Sequence, residues 1–206
     1  MKRLLLALIV LVGIGALLLR LNGPGAAPPA PRLAAAVFAG GCFWCTEADF
    51  DKIPGVVSTT SGYAGGNVAN PTYEQVSAGG TGHIEAVRVV YDPARVGYGT
   101  LVARFFRTVD PLDGGGQFCD RGSQYRTAIF VAGAAERRIA EAIRARAAAL
   151  LRKKVATLIL PAGRFYPAET YPQDYYRKNP VPYRYYRWRC GREARLAALW
   201  GKSAGH

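Results

Sequence analysis

Two cysteines three positions apart are the residues best suited to chemistry, in the segment Gly41-Cys42-Phe43-Trp44-Cys45. Cys42 follows two glycines and begins a predicted helix, where unpaired N–H groups and the helix dipole stabilise an anion. We therefore expect a lowered thiol pKa and a nucleophilic Cys42, although a free cysteine is more commonly a small buried hydrophobic residue. The C-x-x-C spacing suggests a redox pair with Cys45. No histidine follows it, which excludes covalent haem attachment, and no second C-x-x-C supports a zinc site.

The elements that would position this thiol predict one α+β domain. Hydrophobic periodicity and turn residues give the order strand, helix, strand, strand, helix, strand, helix, strand. We expect a two-layer sandwich, with a ferredoxin-like core sheet covered by helices and a long irregular C-terminal tail. The sequence predicts strands over 33–39, 56–63, 83–91, 126–131 and 155–160, helices over 42–52, 99–109 and 134–151, a short helix between 70 and 80, and a loop at 114–116.

The N-terminal residues differ from the rest of the chain. Lys2 and Arg3 precede an uncharged apolar run over 4–19, so residues 1–21 are typical of a signal peptide or a membrane anchor. Residues 22–33 form a Pro/Ala/Gly linker, and residues 34–206 form the predicted catalytic domain. The positive start predicts export to the periplasm or another extracytoplasmic space, soluble after cleavage or anchored. A buried N-terminal helix is disfavoured because the run has no polar face.

Composition bounds the class of protein and its partners. The 206 residues carry 27 Lys+Arg and 14 Asp+Glu, a net charge of +13, and half of them are apolar, which excludes a disordered or fibrous chain. Loss of residues 1–33 would remove four positive charges and no acids, which leaves +9 on the domain. The basic aromatic segment 175–189 could stack on single-stranded nucleic acid. Packing of these aromatics on the sheet is favoured, so we expect no nucleic-acid partner, whereas an exported domain of this charge would meet anionic membranes.

Six short motifs give the most specific signal. Together they resemble the peptide methionine sulfoxide reductases of the A type, which reduce the S epimer of methionine sulfoxide, and the resemblance covers about residues 34–201. A single motif would be weak, but six in the family's order at compatible spacing are specific. They are GCFW at 41–44 with Glu47, GYAGG at 62–66, NPTY at 70–73, GHIEAV at 82–87, DP at 110–111 and DRGSQYR at 120–126.

The resemblance assigns the reacting groups. Cys42 would attack the sulfoxide sulfur, and Glu85 would protonate the sulfoxide oxygen so that it can leave as water. Such a glutamic acid must stay protonated near neutral pH, which requires an apolar site. Tyr73 and Tyr125 would hydrogen-bond the oxygen and hold Glu85. Spacing alone would make Glu85 a solvent-facing strand residue and the tyrosines half-buried packing residues.

The resemblance also assigns the substrate pocket. Phe43 and Trp44 would enclose the substrate's S-methyl group, and aromatic faces favour sulfur. Asp120 would contact the substrate backbone or fix the tyrosines. Without the resemblance, these residues indicate core packing and a turn. For His83 and Glu47, structural roles are favoured.

Three cysteines are candidates for the thiol that resolves the oxidised Cys42 in the second half of the cycle. A sulfenic acid on Cys42 would condense with a neighbouring thiol to a disulfide. We rank the resolving candidates Cys190 first, Cys45 second and Cys119 third, and predict a Cys42–Cys190 disulfide after one turnover. The implied partners are oxidised proteins carrying methionine sulfoxide, with the free amino acid as a further substrate, and a thioredoxin-like reductant. No metal or organic cofactor is implied, because the thiols carry the electrons, and a monomer is expected.

One rival function uses the same two cysteines. Cys42 and Cys45 could serve a general thiol–disulfide oxidoreductase. Such enzymes usually carry Pro or Gly between the cysteines and a strand with a cis-proline, and the sequence offers no convincing counterpart. Reduction of methionine sulfoxide against reduction of insulin disulfides separates the two functions.

Overall fold

A computed structural model describes residues 32–201. The predicted signal peptide or anchor at 1–21, and all but the last two residues of the predicted linker, lie outside the described residues. Within 32–201, no helix is both long enough and apolar enough to cross a membrane.

The described chain alternates strands and helices in nearly the predicted order. The strands are β1 (Ala34–Gly40), β2 (Val56–Ala64), β3 (Ile84–Tyr91), β4 (Gly116–Gln117), β5 (Asp120–Arg121), β6 (Thr127–Val131), β7 (Leu158–Pro161) and β8 (Phe165–Pro167). The helices are α1 (Phe43–Phe50), α2 (Tyr73–Ala78), α3 (Tyr98–Thr108), a 3-10 helix (Ser123–Tyr125), α4 (Ala134–Leu151), α5 (Tyr175–Lys178), α6 (Pro180–Arg189) and α7 (Arg192–Trp200).

Six strands form one mixed sheet in the order β7-β6-β1-β3-β2-β8. β7 runs parallel to β6, and the other neighbours are antiparallel. β4 and β5 form a separate two-stranded pair, so the predicted loop at 114–116 is wrong at Gly116, which begins β4. A mixed sheet with helices confirms the α+β class.

The central strands divide large and small side chains between the two faces of the sheet. Phe38 of β1 and Val87 of β3 belong to the main core, together with Phe105 of α3. Their neighbours Ala39 and Ala86 belong to a smaller cluster, because successive strand residues point to opposite faces. This core therefore fixes the end of β1 within the sheet. It thereby also fixes the start of α1, which follows β1 in the chain.

The prediction of a long irregular C-terminal tail is wrong. The segment contains β8 and the three helices α5, α6 and α7. Pro180 occupies the first position of α6, where a missing N–H costs no hydrogen bond. Tyr183 of α6 is buried whereas Tyr185 and Trp188 are exposed. Aromatic residues on both sides of the helix hide its period in the sequence.

Candidate active site

A glycine turn sets the position of Cys42 at the end of β1. Gly41 has φ +82°, a left-handed conformation that suits glycine, and a Cβ there would lie 2.5 Å from the Cβ of Gln117. The chain then enters α1 with Cys42 as the residue that precedes the first helical position. The Cys42 side chain is buried. The double glycine therefore delivers a thiol to the helix start, as the sequence predicts.

A buried carboxyl group lies next to this thiol. Glu85 of β3 is 2 % exposed, and its Oε2 accepts a hydrogen bond of 3.0 Å from the backbone N–H of Phe43. Burial raises the pKa of Glu85 to about 8, which the Phe43 N–H opposes and the charges of Asp120 and Cys45 reinforce. Glu85 is thus mainly protonated at neutral pH, and a protonated carboxyl group can act as an acid.

The expected lowering of the Cys42 pKa is wrong. Burial raises the pKa of Cys42 well above its ordinary value, and Cys45, Glu85 and Asp120 add to the rise. The favourable end of an eight-residue helix does not compensate for the loss of water around a thiolate. Cys42 is therefore a protonated thiol at rest.

The second thiol of the pair has the opposite electrostatic environment. Cys45 is buried one helical turn along, with its N–H donating to the Cys42 carbonyl oxygen at 3.2 Å. The hydrogen bond from Cys42, together with the charges of Arg192 and Arg187, lowers the pKa of Cys45 to about 7 against the opposing effects of burial and of Asp49. When the pair loses one proton, the negative charge is therefore held mainly by Cys45.

The C-terminal helices supply those two cations. Arg187 of α6 lies 2.9 Å from Asp49, and Arg192 of α7 lies 3.4 Å from the same carboxylate. Arg192 also donates to the Thr108 carbonyl at 2.6 Å and stacks its guanidinium over Phe118, 4.5 Å from the ring centre. Helices α6 and α7 are thus held beneath α1 by buried charge.

Aromatic rings pack together around the first turn of α1. Phe43 stacks with Tyr73 at 6.2 Å between ring centres, and Trp44 stacks with Tyr175 at 3.8 Å. Tyr171 meets both Trp44 and Tyr73 edge-on. An apolar group that carries sulfur would be favoured against the faces or edges of these rings.

The chain matches a known protein family over nearly the whole described region. The family model described as peptide methionine sulfoxide reductase matches residues 34–204. The chain belongs to this family. It is 51 % identical over 195 residues to "Peptide methionine sulfoxide reductase MsrA 2" of Caulobacter vibrioides, with 94 % of this chain and 98 % of the relative covered. The protein of the same description from Rhizobium meliloti is 52 % identical over 169 residues, covering 82 % and 84 %.

Solved structures agree with this membership of the methionine sulfoxide reductases. The reduced form of Mxr1 from Saccharomyces cerevisiae superposes with a TM-score of 0.70 at 33 % identity, covering 74 % of this chain and 88 % of that one. Methionine sulfoxide reductase A of Corynebacterium diphtheriae gives a TM-score of 0.65 at 38 % identity, covering 76 % and 80 %.

The two tyrosines assigned to the sulfoxide oxygen both keep their hydroxyl protons. Burial raises the pKa of Tyr125 to about 12, with further contributions from Glu85, Asp120 and Cys42. Burial likewise raises the pKa of Tyr73, followed by the charge of Glu85. Both hydroxyls can therefore donate hydrogen bonds near the carboxyl group of this reductase.

Asp120 connects the site to the C-terminal helices. Its Oδ2 accepts a hydrogen bond from the hydroxyl of Tyr186 on α6. Tyr186 also meets Trp44 edge-on, with 5.9 Å between the ring centres. The structure thus places Asp120 at the aromatic wall of the site.

Glu47 and His83 of the family motifs hold the backbone. Glu47 is buried and accepts a hydrogen bond of 2.9 Å from the N–H of Asp174, before α5. His83 is buried, and its ring bridges the N–H of Gly66 at 3.2 Å and the carbonyl of Val68 at 2.8 Å. These contacts agree with the structural roles favoured from the sequence.

The cysteines fall into two pairs, of which the sequence anticipates Cys42 with Cys45 but not Cys119 with Cys190. Cys119 and Cys190 form a disulfide with 4.9 Å between their Cα atoms, while Cys42 and Cys45 are free and buried. The Cys42–Cys190 bond expected after turnover is therefore not the one present in this structure, because Cys190 is already bonded to Cys119. Cys45 is the thiol beside Cys42.

Several site residues are missed by the sequence reasoning. Tyr171, Tyr175 and Tyr186 form the outer aromatic wall, and Glu169 accepts hydrogen bonds from the Tyr63 hydroxyl at 3.0 Å and the Tyr73 N–H at 2.8 Å. The density of tyrosine in 171–186 is the signal that could have found them. Over residues 32–201, no cluster of His, Cys, Asp and Glu side chains could hold a metal ion.

Proposed function

We propose that this reductase converts methionine-S-sulfoxide in oxidised proteins, and the free amino acid, to methionine. The observation that carries the proposal is the buried, protonated Glu85 hydrogen-bonded at the first peptide group after Cys42. A sulfoxide needs an acid at its oxygen and a thiol at its sulfur, and these two groups are adjacent. Phe43 and Trp44, each stacked with a tyrosine ring, supply apolar surface for the S-methyl group.

The first step transfers oxygen from the substrate to the enzyme. Glu85 gives its proton to the sulfoxide oxygen, which Tyr73 and Tyr125 also hydrogen-bond, and the substrate sulfur becomes cationic. That positive charge offsets the burial of Cys42 and lowers the cost of its thiolate. The Cys42 thiol gives its proton to the departing oxygen and its sulfur attacks the substrate sulfur, so that the oxygen, which has now received two protons, leaves as water. A second water molecule attacks the Cys42 sulfur and breaks the sulfur–sulfur bond, which releases methionine, and the proton that this water gives up returns to the Glu85 carboxylate. The net products are methionine and a sulfenic acid on Cys42.

The second step makes Cys45 the resolving cysteine. Cys45 is adjacent to Cys42, and Arg187 and Arg192 favour its thiolate. Its attack on the Cys42 sulfenic acid forms a Cys42–Cys45 disulfide and releases water. We infer this role for Cys45 rather than for Cys190, which is bonded to Cys119.

Electrons would return through the second pair of cysteines. A thioredoxin-like dithiol reduces Cys119–Cys190, whose Cys119 is exposed, and the resulting dithiol reduces Cys42–Cys45 by disulfide exchange. Mxr1 has been solved in complex with Trx2, which supports a thioredoxin-type donor. No metal or organic cofactor takes part in this cycle.

General thiol–disulfide exchange at Cys42 and Cys45 is disfavoured. General thiol–disulfide oxidoreductases usually carry Pro or Gly between the two cysteines, whereas Phe43 and Trp44 stand there in this chain.

The experiment is a comparison of both sulfoxide epimers with the wild type and Cys42→Ser, using Cys119→Ser with dithiothreitol as the matched cysteine control. We expect use of the S epimer alone, no turnover by Cys42→Ser, and near wild-type rates for the control. Equal use of both epimers, or activity that survives Cys42→Ser, would overturn the assignment. Insulin reduction measured in parallel tests the rival function.

Location and finer architecture extend the proposal. Lys2, Arg3 and the apolar run at 4–19 support an exported or membrane-anchored enzyme, and a fusion of residues 1–33 to a reporter active only outside the cytoplasm tests this. The order β6-β1-β3-β2 with antiparallel neighbours supports a ferredoxin-like core within a two-layer sandwich. A monomer suffices, because every residue with an assigned role lies in one chain.

A further inference from the structure

Helix α6 carries an exposed apolar stripe that the proposed chemistry does not use. Val181, Tyr185 and Trp188 are 66 %, 57 % and 74 % exposed, and their spacing of four and three residues places them on one face of the helix. The rings of Tyr185 and Trp188 lie 6.0 Å apart and tilt by 42°. Large exposed aromatic residues that adjoin one another are a feature of protein-binding surfaces.

The opposite face of the same helix is committed to the active site. Tyr183 is buried in a cluster with Cys45 of α1. The Tyr186 hydroxyl donates a hydrogen bond to Asp120, and Arg187 forms an ion pair with Asp49. The inner face of α6 therefore already anchors the helix to the domain. The exposed stripe is a second surface, which that anchoring does not use.

The stripe leads directly to the disulfide. Cys190 follows the last residue of α6, two positions after Trp188, and it is bonded to the exposed Cys119. The exposed cations Arg184 and Arg189 border the stripe, and Arg189 donates to the Tyr185 hydroxyl at 3.3 Å. An apolar patch with a basic border beside an accessible disulfide fits a partner with an apolar centre, an acidic border and a reactive dithiol.

We propose that Val181, Tyr185 and Trp188 dock the protein dithiol reductant that attacks the Cys119–Cys190 disulfide at Cys119. A reductant thiolate attacks the Cys119 sulfur, which forms a mixed disulfide and releases Cys190 as a thiolate that takes up a proton. The second reductant thiol then attacks its partner sulfur in the mixed disulfide and releases Cys119. The protein gains two electrons and two protons as two thiols, and the reductant becomes a disulfide. This inference rests on the proposed function only for the later use of those thiols.

The test measures reduction of the disulfide itself, without methionine sulfoxide. Full-length wild type, Tyr185→Ser/Trp188→Ser and the control Leu150→Ser, which changes an exposed leucine on α4, are mixed with reduced thioredoxin or with dithiothreitol. Loss of two interface aromatics is expected to slow thioredoxin about tenfold or more. Dithiothreitol needs no docking surface, so its rate should be unchanged, which also reports an intact fold. The control should match the wild type with both reductants.

Three results would overturn the proposal. The first is an unchanged thioredoxin rate in the double variant. The second is an equal loss with dithiothreitol. The third is binding of the wild type, and not the variant, to vesicles of phosphatidylcholine and phosphatidylglycerol with thioredoxin reduction unaffected, since the stripe would then be a membrane contact. Because no sulfoxide is present, failure here is distinct from failure in the epimer assay.

Discussion

Replacement of Glu85 by glutamine tests the acid at the centre of the site. Glutamine keeps the size of the side chain and an oxygen that can accept the Phe43 N–H, but it has no proton to give. General acid catalysis contributes about 10²- to 10⁴-fold, so kcat/KM for methionine-S-sulfoxide should fall by about that factor. The wild-type value should also decline above pH 8, where Glu85 loses its proton, and the residual activity of the variant should lack that decline.

The same substitution has a calculable effect on stability. The pKa of Glu85 rises from an ordinary value of 4.5 to about 8 on folding. Between these pH values the folded protein binds more protons than the unfolded chain, so its stability falls as pH rises from 4.5 towards 8. At about 1.4 kcal/mol per pKa unit the full cost is about 5 kcal/mol, of which about 3.5 kcal/mol develops between pH 5 and pH 8. Glutamine does not titrate and avoids this cost.

The assay is urea unfolding of both proteins at several pH values with Cys119–Cys190 kept oxidised. The free energy of unfolding of Glu85→Gln, relative to wild type, should increase by about 3.5 kcal/mol from pH 5 to pH 8, because Glu85 titrates in this range and glutamine does not. A difference that stays constant across this range would refute the raised pKa of Glu85. A variant within threefold of the wild-type activity would refute its role as the acid.

Three further substitutions probe the thiol pair and its supports. Cys45→Ser should leave a sulfenic acid on Cys42 that dimedone traps after one turnover, with thioredoxin-driven cycling reduced about tenfold or more; wild-type cycling would exclude Cys45 as the resolving thiol. Arg192→Met leaves buried Asp49 with fewer charge partners, so urea unfolding should show a loss of about 3 kcal/mol, and a loss below about 1 kcal/mol would contradict this account of the ion pairs. Gly41→Ala forces a side chain into a left-handed conformation and should cost about 2 kcal/mol or more by the same measurement, whereas unchanged stability would show that the turn tolerates a Cβ.

Sequence reasoning predicts the position of a residue here where that position depends on a local pattern and a motif. The strands around Cys42 and Glu85 follow from hydrophobic periodicity and the glycine turn, and the structure brings these two residues together through the Phe43 N–H. The thiol pKa is mispredicted because the local helix end is visible in the sequence, whereas burial and the facing carboxyl groups are properties of the assembled fold.

The C-terminal third shows a different limit. Pairing of Cys119 with Cys190 spans 71 residues, and no local pattern specifies such a contact. The inner and outer faces of α6 both carry tyrosines, so an amphipathic period is not visible until Tyr183 is seen to be buried and Trp188 exposed. The placement of the two arginines of α6 and α7 near Cys45 is therefore known only from the structure.

The most direct measurement follows the cysteines of Cys119→Ser/Cys190→Ser through one turnover. The reduced protein receives one equivalent of methionine-S-sulfoxide, and the quenched products are mapped by mass spectrometry. The account predicts one methionine released per protein and a single disulfide that joins Cys42 to Cys45. Formation of methionine with both thiols unmodified, or no methionine at all while the fold is intact, would contradict it.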